Sequence, residues 1–327
     1  MNFQNIAPFI DTQGESLRDA GVDVRYFPID GKGVRGYLNA ASNLRRYLEN
    51  NSADIIHAHY TLSGWSAVLA RPKQPIVLSL MGTDAYGAYV GVNKVRFFSR
   101  YLIFLTYLIQ PFVKSIICKS KHIESFVYVK NRSYVIPNGI LFDKIAYHAD
   151  GYRSELGLDL DRKYVLFLGD KNERRKNFEL AEKAVELMQS IDISLLAPYP
   201  ISHEAVVKYL NSVNLAVVPS LMEGSPNVVK EAMACNCPVV ATNVGDIAWL
   251  FGNEPGYFLT SFDPQDVALN IRKALDFSQN QARTQGRARL IELGLDSHTI
   301  AKRLIAVYKS VLQKHAAQSK NQRYCRC

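Results

Sequence analysis

Two glutamates and the turn beside them are the residues of this chain best placed to do chemistry. Glu223 and Glu231 stand eight positions apart, around the segment Glu223-Gly224-Ser225-Pro226-Asn227. Ser225 has the type of a helix N-cap, and Pro226 that of a first helical residue. The amides of Asn227 and Val228 then open the helix without a partner inside it, and such an end attracts phosphate. Gly224 permits close backbone approach or a positive φ. A carboxylate near a bound anion is unfavourable unless it serves another end, and accepting hydrogen bonds from sugar hydroxyls is one. The plainer alternative is an ordinary strand–helix turn, with Glu231 on the surface of its helix.

The elements that must hold this turn are legible as an alternation. Short apolar runs near 22–27, 54–59, 76–81, 115–119 and 134–136 read as strands in the first half of the chain. Runs near 163–168, 193–197, 215–219, 238–241 and 257–259 read as strands in the second. Helical patterns separate them. Near-continuous Val/Ile/Leu strands between helices imply parallel sheets covered on both faces. Two such series imply an α/β protein of two doubly wound, Rossmann-like domains. The expected division is 1–146, a linker over 147–162, a second domain over 163–296, a final helix over 297–315 and a disordered basic tail over 316–327. The opening residues read as a loop and a helix with no convincing strand before them, so the expectation is that either the chain starts late or the first sheet lacks a central strand.

Composition narrows the partners. The chain has 327 residues, 48% of them hydrophobic and 21% charged, which suits a folded protein. Its formal charge is +9, and residues 1–150 carry most of the excess. Anionic partners fit: nucleotide phosphates, an acidic glycan or an anionic membrane surface. No clustered basic face or known module points to nucleic acid. Five cysteines, an odd number, without a signal peptide suggest a reducing cytoplasm. Cys235 and Cys237 flank the turn after an apolar helix and are expected to be structural rather than zinc ligands. Asp159-Leu160-Asp161 has the spacing of a metal-binding motif but reads as a solvated turn, so no metal is expected. Residues 97–118 form the longest apolar run, interrupted by Arg100, Gln110, Pro111 and Lys114. That run reads either as an aromatic, basic helix on a membrane surface or as an internal helix pair kinked at Pro111. The internal pair is the favoured expectation.

Glu223-x7-Glu231, preceded by Pro219-Ser220 and followed by Ala232-Met233-Ala234-Cys235, resembles the donor-site signature of the family 4 retaining glycosyltransferases. Asp54-Ile-Ile-His-Ala-His59, Gly82-Thr83-Asp84, Ile136-Pro-Asn-Gly139 and the final helix fall in that family's order. The Glu223-Gly-Ser-Pro-Asn227 variant is similar to that of bacterial members that build surface polysaccharides. The resemblance implies the GT-B fold: two Rossmann-like domains facing across a cleft, with the C-terminal helix crossing back. It implies transfer of a sugar from a nucleotide diphosphate sugar to a glycan or lipid-linked acceptor. No cofactor beyond that donor is implied, and the place of work is the cytoplasmic face of the membrane.

The resemblance also implies roles. Glu231 grips the ribose, and Glu223 with the amides after it holds the transferred sugar. Lys176 neutralises the diphosphate with Arg174 or Arg175 as its partner; the family's usual arginine directly after the strand's glycine is Asp170 here. Arg174 is the expected catalytic partner and Arg175 a donor-binding residue. On the acceptor side His57 and His59 end a strand, and His59, Gly82, Asp84 and Gln13 are the candidates. Met81 replaces a histidine common in the family. Two other readings stay open: an epimerase or hydrolase of the same fold, and a truncated, non-catalytic copy.

Overall fold

The computed structural model describes residues 7–30, 33–281 and 283–324. It is an α/β structure of parallel sheets in two compact units. The first unit takes the described residues up to Gly87, then Phe97–Gly139 and the chain from Ser297 onward; the second takes Ala88–Arg96 and Ile140–Asp296.

In the first unit α1 (Pro8–Asp19) and α2 (Gly33–Asn50) precede β1 (Ile56–His59), α3 (Thr61–Leu69), β2 (Ile76–Leu80) and α4 (Thr83–Tyr86). A short hairpin of β3 (Tyr89–Gly91) and β4 (Lys94–Val95) follows and packs with the second unit. The chain returns through α5 (Ser99–Ile109), β5 (Ser115–Cys118), α6 (Lys121–Ser125) and β6 (Ser133–Val135). The strands form one parallel sheet in the order β1-β2-β5-β6. Every residue of β2 and β5 is buried, as expected for strands covered on both faces.

Residues 22–27, expected to be a strand, form none. An apolar run becomes a strand only where a neighbour offers its own N–H and C=O groups. Here the segment's groups turn to α1: Val22 N donates to Leu17 O, and Val24 O accepts from the Arg18 guanidinium. Among the described residues β1 is therefore an edge strand. The question of a strand before α1 falls on residues 1–6, outside the described residues.

The second unit runs β7 (Lys163–Leu166), α7 (Phe178–Glu186), β8 (Ile193–Leu196), α8 (His203–Ser212), β9 (Leu215–Val218), α9 (Asn227–Ala234), β10 (Val239–Thr242), α10 (Ile247–Phe251), β11 (Tyr257–Thr260), α11 (Pro264–Gln281) and α12 (Gly286–Glu292). Its five strands are parallel in the order β11-β10-β9-β7-β8. Val165, Leu215, Val217 and Val240 from the sheet meet Leu180, Ala184, Val267 and Ile271 from α7 and α11 in one core. Residues 147–162 are irregular but fastened to this unit: Tyr152 N donates to Ser212 Oγ, and Arg153 Nε to Ser212 O, each at 2.8 Å.

The last helix, α13 (Ser297–Tyr324), belongs to the first unit and packs on α1. It continues well past residue 313, where the apolar periodicity stops, so most of the expected disordered tail is helical. Ala316, Ala317, Gln318, Lys320, Gln322 and Arg323 are good helix formers, and propensity extends a helix already begun at little cost. Residues 325–327 lie outside the described residues.

Candidate functional site

The second sheet reverses direction between β7 and β9. From β7 the chain moves out to β8, then returns to the other side of β7 to build β9, β10 and β11. Loops leaving the carboxyl ends of two such neighbours diverge, and the crevice between them is the usual ligand site of an open α/β sheet. The loop after β7 carries the basic turn Arg174–Lys176, and the loop after β9 carries Glu223. The candidate site therefore sits where topology alone would put one.

Backbone contacts stitch the two loops together. Leu221 N donates to Arg175 O at 2.8 Å, and Asn177 Nδ2 to Pro219 O at 3.0 Å. Asn177 takes a left-handed conformation, φ 56°, which asparagine tolerates better than most residues. Thr242 Oγ1, from the end of β10, donates to Ser220 O at 2.6 Å.

Glu223 is 6% exposed, and three groups converge on one of its oxygens. Lys176 Nζ donates to Oε1 at 2.8 Å, Arg175 NH1 lies 2.8 Å from it, and Ser220 Oγ donates to it at 2.9 Å. Burial alone would raise this carboxyl. The Lys176 and Arg175 charges outweigh burial and hold it below the usual carboxylate range. The structure thus brings Arg175, not Arg174, to the carboxylate; Arg174 is exposed at the head of the same turn.

Helix α9 starts at Asn227 with Pro226, not Ser225, in the capping position, and no side chain caps it. The first amides of a helix have no acceptor inside it, and such an end suits an anion. Gly224 does not use a positive φ; it is its carbonyl that is closely approached. The approaching residue is Gly245, at φ +64°, where a Cβ would stand 2.4 Å from Glu223 O and 2.7 Å from Gly224 O. Only glycine lets the loop after β10 brace the turn from behind.

Behind that brace lies a buried pair of charges. Lys230, on α9, is wholly buried, and Asp246 follows Gly245 with 8% exposure. Burial pushes the Lys230 ammonium down to about 8, opposed by Asp246 and Glu231, and pushes Asp246 up to about 6, opposed by Lys230. The Ser225 hydroxyl lies beside Asp246, yet neither its oxygen nor the two Asp246 oxygens make a well-formed hydrogen bond among the described residues. At the next residue along α9, Glu231 Oε1 is 3.2 Å from His203 Nε2, at the first residue of α8. That hydrogen bond raises the imidazole above its ordinary value despite partial burial. Gly245, Lys230, Asp246 and His203 are not signalled by the sequence pattern: a lysine in an apolar helix looks like a surface residue until its burial is known.

The acceptor-side candidates lie in the first unit and do different things. Asp84 is fully buried; it accepts from the backbone of Met81 and Gly82 at 2.9 Å and of Thr61 at 3.0 Å. It holds the Gly82 turn rather than presenting an open carboxylate. Gly82, at φ +124°, admits the Tyr86 ring where a Cβ would stand 2.5 Å from its hydroxyl. His57 is tied up between Tyr308 Oη, 2.6 Å from Nδ1, and Ser79 Oγ, 2.8 Å from Nε2. His59 stacks on His57, and its Nδ1 is buried without a hydrogen-bond partner among the described residues. Burial, then the nearby Lys119 charge, push the His59 ring down to about 3, so it is neutral at any working pH. Gln13 accepts from Lys119 Nζ at 3.4 Å. The structure thus groups His59, Lys119 and Gln13, and Lys119 is the member the pattern left unremarked at the end of its strand.

Residues 6–139 match the family model described as "Glycosyl transferase 4-like domain", and residues 161–276 that of "Glycosyl transferases group 1". Together the two matches span well over half of the sequence, in the order of the two units. The chain thus carries a glycosyl transferase 4-like domain followed by a glycosyl transferases group 1 domain. It is 27% identical over 248 residues to TuaC of Bacillus subtilis, a glycosyltransferase assigned to teichuronic acid biosynthesis, covering 67% of this chain. The chain spans 61% of that relative's length. Among solved structures, sucrose-phosphate synthase from Thermosynechococcus elongatus has a TM-score of 0.76 at 20% identity, with 94% of this chain and 93% of that one covered. Anabaena HepE in complex with UDP-glucose has a TM-score of 0.67 at 18% identity, covering 90% and 88%. At these identities the two structures speak for a GT-B fold and not for activity or substrates.

Proposed function

We propose that this chain is a retaining glycosyltransferase that moves a sugar from a nucleotide diphosphate sugar to a glycan or lipid-linked glycan acceptor in polysaccharide biosynthesis. The observation that carries the reading is the convergence of Lys176 and Arg175 on Glu223, at the switch point of the second sheet and beside the start of α9. In the absence of donor the two cations neutralise a buried carboxylate. A diphosphate entering the crevice offers them a stronger partner and frees Glu223 to accept hydrogen bonds from the sugar. Glu231 holds the ribose.

The bond from the anomeric carbon to the phosphate oxygen breaks, and a bond from that carbon to the acceptor oxygen forms on the same face. The acceptor's proton passes to the leaving phosphate, so the reading needs no protein base. Negative charge grows on the diphosphate as it leaves, and prealigned cations stabilise that growth more than the ground state. With that charge met by side chains, the reading calls for no metal. HepE was solved with UDP-glucose, and TuaC is assigned to teichuronic acid biosynthesis; the first lends support to the donor class and the second to the pathway class.

The test is a screen of nucleotide sugars with mass detection, using a lipid-linked glycan extract as acceptor. Transfer of one sugar residue with retained configuration is expected. Consumption of nucleotide sugar without any acceptor would favour the epimerase or hydrolase reading. No transfer and no nucleotide binding would overturn the proposal.

A further inference from the structure

Residues 97–112 do not form the expected internal helix pair. They form α5 and a 3-10 turn at Gln110–Phe112, and of α5 only Thr106 and Ile109 are buried. Phe97, Phe98 and Tyr101 are 73%, 81% and 67% exposed. Tyr101, Phe104 and Leu108 are exposed on α5 at spacings of three and four, so they form one stripe along the outside of the helix, and Phe97 just before its start and Phe112 in the 3-10 turn after it are exposed as well. At 1.5 Å per residue the helical part of that stripe is roughly 10 Å long. A helix apolar on both faces is normally enclosed; this one encloses one face and leaves the other open.

The aromatic face continues onto a neighbouring loop, where Tyr128 lies against Tyr107 with ring centroids 4.4 Å apart. Between them a cavity of about 290 Å³ is lined by Ile103, Tyr107, Phe126 and Tyr128 among others, mostly with apolar groups. Cations surround the patch. Arg100 is on the helix, Lys114 lies two residues beyond Phe112, Lys130 follows Tyr128, and the Arg132 guanidinium donates to Val113 O at 3.0 Å. From residue 85 to residue 142 the sequence has eight Lys and Arg and one acid, Glu124, so this segment, under a fifth of the chain, carries +7 of its net +9.

Aromatic rings bordered by cations match a surface that is apolar just below a negative layer. We infer that the α5 face docks on an anionic lipid bilayer, with the rings seated at the headgroup boundary and the cavity receiving part of an acyl chain. No described helix is long and apolar enough to cross a membrane, so the contact is one of lying on, not spanning. This inference stands apart from the proposed chemistry, because lipid binding needs neither donor nor acceptor.

The experiment is co-sedimentation of the full chain with phosphatidylcholine vesicles, with and without phosphatidylglycerol, at low and high salt. Binding is expected on the anionic vesicles, weaker on the neutral ones and reduced by salt. The variant Phe97→Ser/Tyr101→Ser/Phe104→Ser should weaken it at least roughly tenfold with an unchanged circular dichroism spectrum. Arg100→Gln/Lys114→Gln changes only surface charge, leaves the aromatic face in place and should cost roughly fivefold for each cation removed. Absence of binding to anionic vesicles, or binding indifferent to both variants, would overturn the inference. So would self-association in sedimentation velocity that the serine variant abolishes while vesicles are ignored, since the face would then be an interface between copies.

Discussion

Lys176 Nζ and Glu223 Oε1 are 2.8 Å apart, joined across two loops whose residues are 47 positions apart in the chain. Strands β7 and β9 are neighbours in the sheet, and that adjacency makes the pairing possible. Lys176→Ala should therefore lower kcat about a hundred- to a thousandfold, equivalent to roughly 3–4 kcal/mol of transition-state stabilisation. Arg175 still neutralises Glu223 in that variant, so the fold should survive. Steady-state kinetics with a circular dichroism control measures this, and near-full turnover would remove Lys176 from the mechanism.

Gly245 braces the Glu223–Gly224 backbone at a distance no Cβ can occupy. Gly245→Ala should strain the left-handed residue by about 1–2 kcal/mol and also push the donor turn out of place. The expected result is a modest loss of melting temperature with a disproportionate loss of nucleotide affinity by calorimetry. A loss of stability alone would limit Gly245 to a structural role.

Lys230 and Asp246 are both buried, and each offsets part of the other's burial. Lys230→Met removes the cation that opposes burial of the Asp246 carboxylate and should destabilise the fold at neutral pH. The double variant Lys230→Met/Asp246→Asn should cost less than the sum of the two single changes, measured as a denaturant double-mutant cycle. The pH dependence follows from the shifts. Asp246 is raised from 3.8 to about 6, so its stabilising contribution is present below 3.8 and lost as the pH rises through 6. Lys230 is lowered from 10.5 to about 8; between those values the unfolded chain holds a proton the folded one lacks, and stability rises with pH. Lys230→Met should abolish that rise.

His203 is held above its ordinary 6.5 by its hydrogen bond to Glu231. The stabilisation it gives is present below 6.5 and lost as the pH rises through the raised value. If Glu231 turns to a ribose, that support is withdrawn. The His203 titration followed by NMR should move down when a nucleoside diphosphate saturates the protein. An unmoved titration would separate Glu231 from nucleotide binding.

The alternation of apolar strands and helices was readable in the sequence because parallel strands buried on both faces leave little choice of residue. Glu223 and Glu231 stood out because a carboxylate pair brackets a recognisable turn, and Lys176 only because the family resemblance points to it. The choice between Arg174 and Arg175 was not, since it depends on which way one 3-10 turn faces. Residues 22–27 have the composition of a strand, but composition cannot supply the neighbour a strand must bond to. The pairing of Lys230 with Asp246 depends on tertiary proximity and leaves no local trace. The outward face of α5 was misjudged for a related reason: an apolar helix is ordinarily enclosed, and only its position shows that one side is not.

The most direct test of the account is the affinity of nucleoside diphosphates for Arg174→Ala, Arg175→Ala and Lys176→Ala, measured by calorimetry against the unaltered protein. The account predicts a loss of about tenfold or more for Arg175→Ala and Lys176→Ala, as for removal of a charge-assisted hydrogen bond, and little change for Arg174→Ala. Weakened binding in Arg174→Ala with unchanged binding in Arg175→Ala would contradict it.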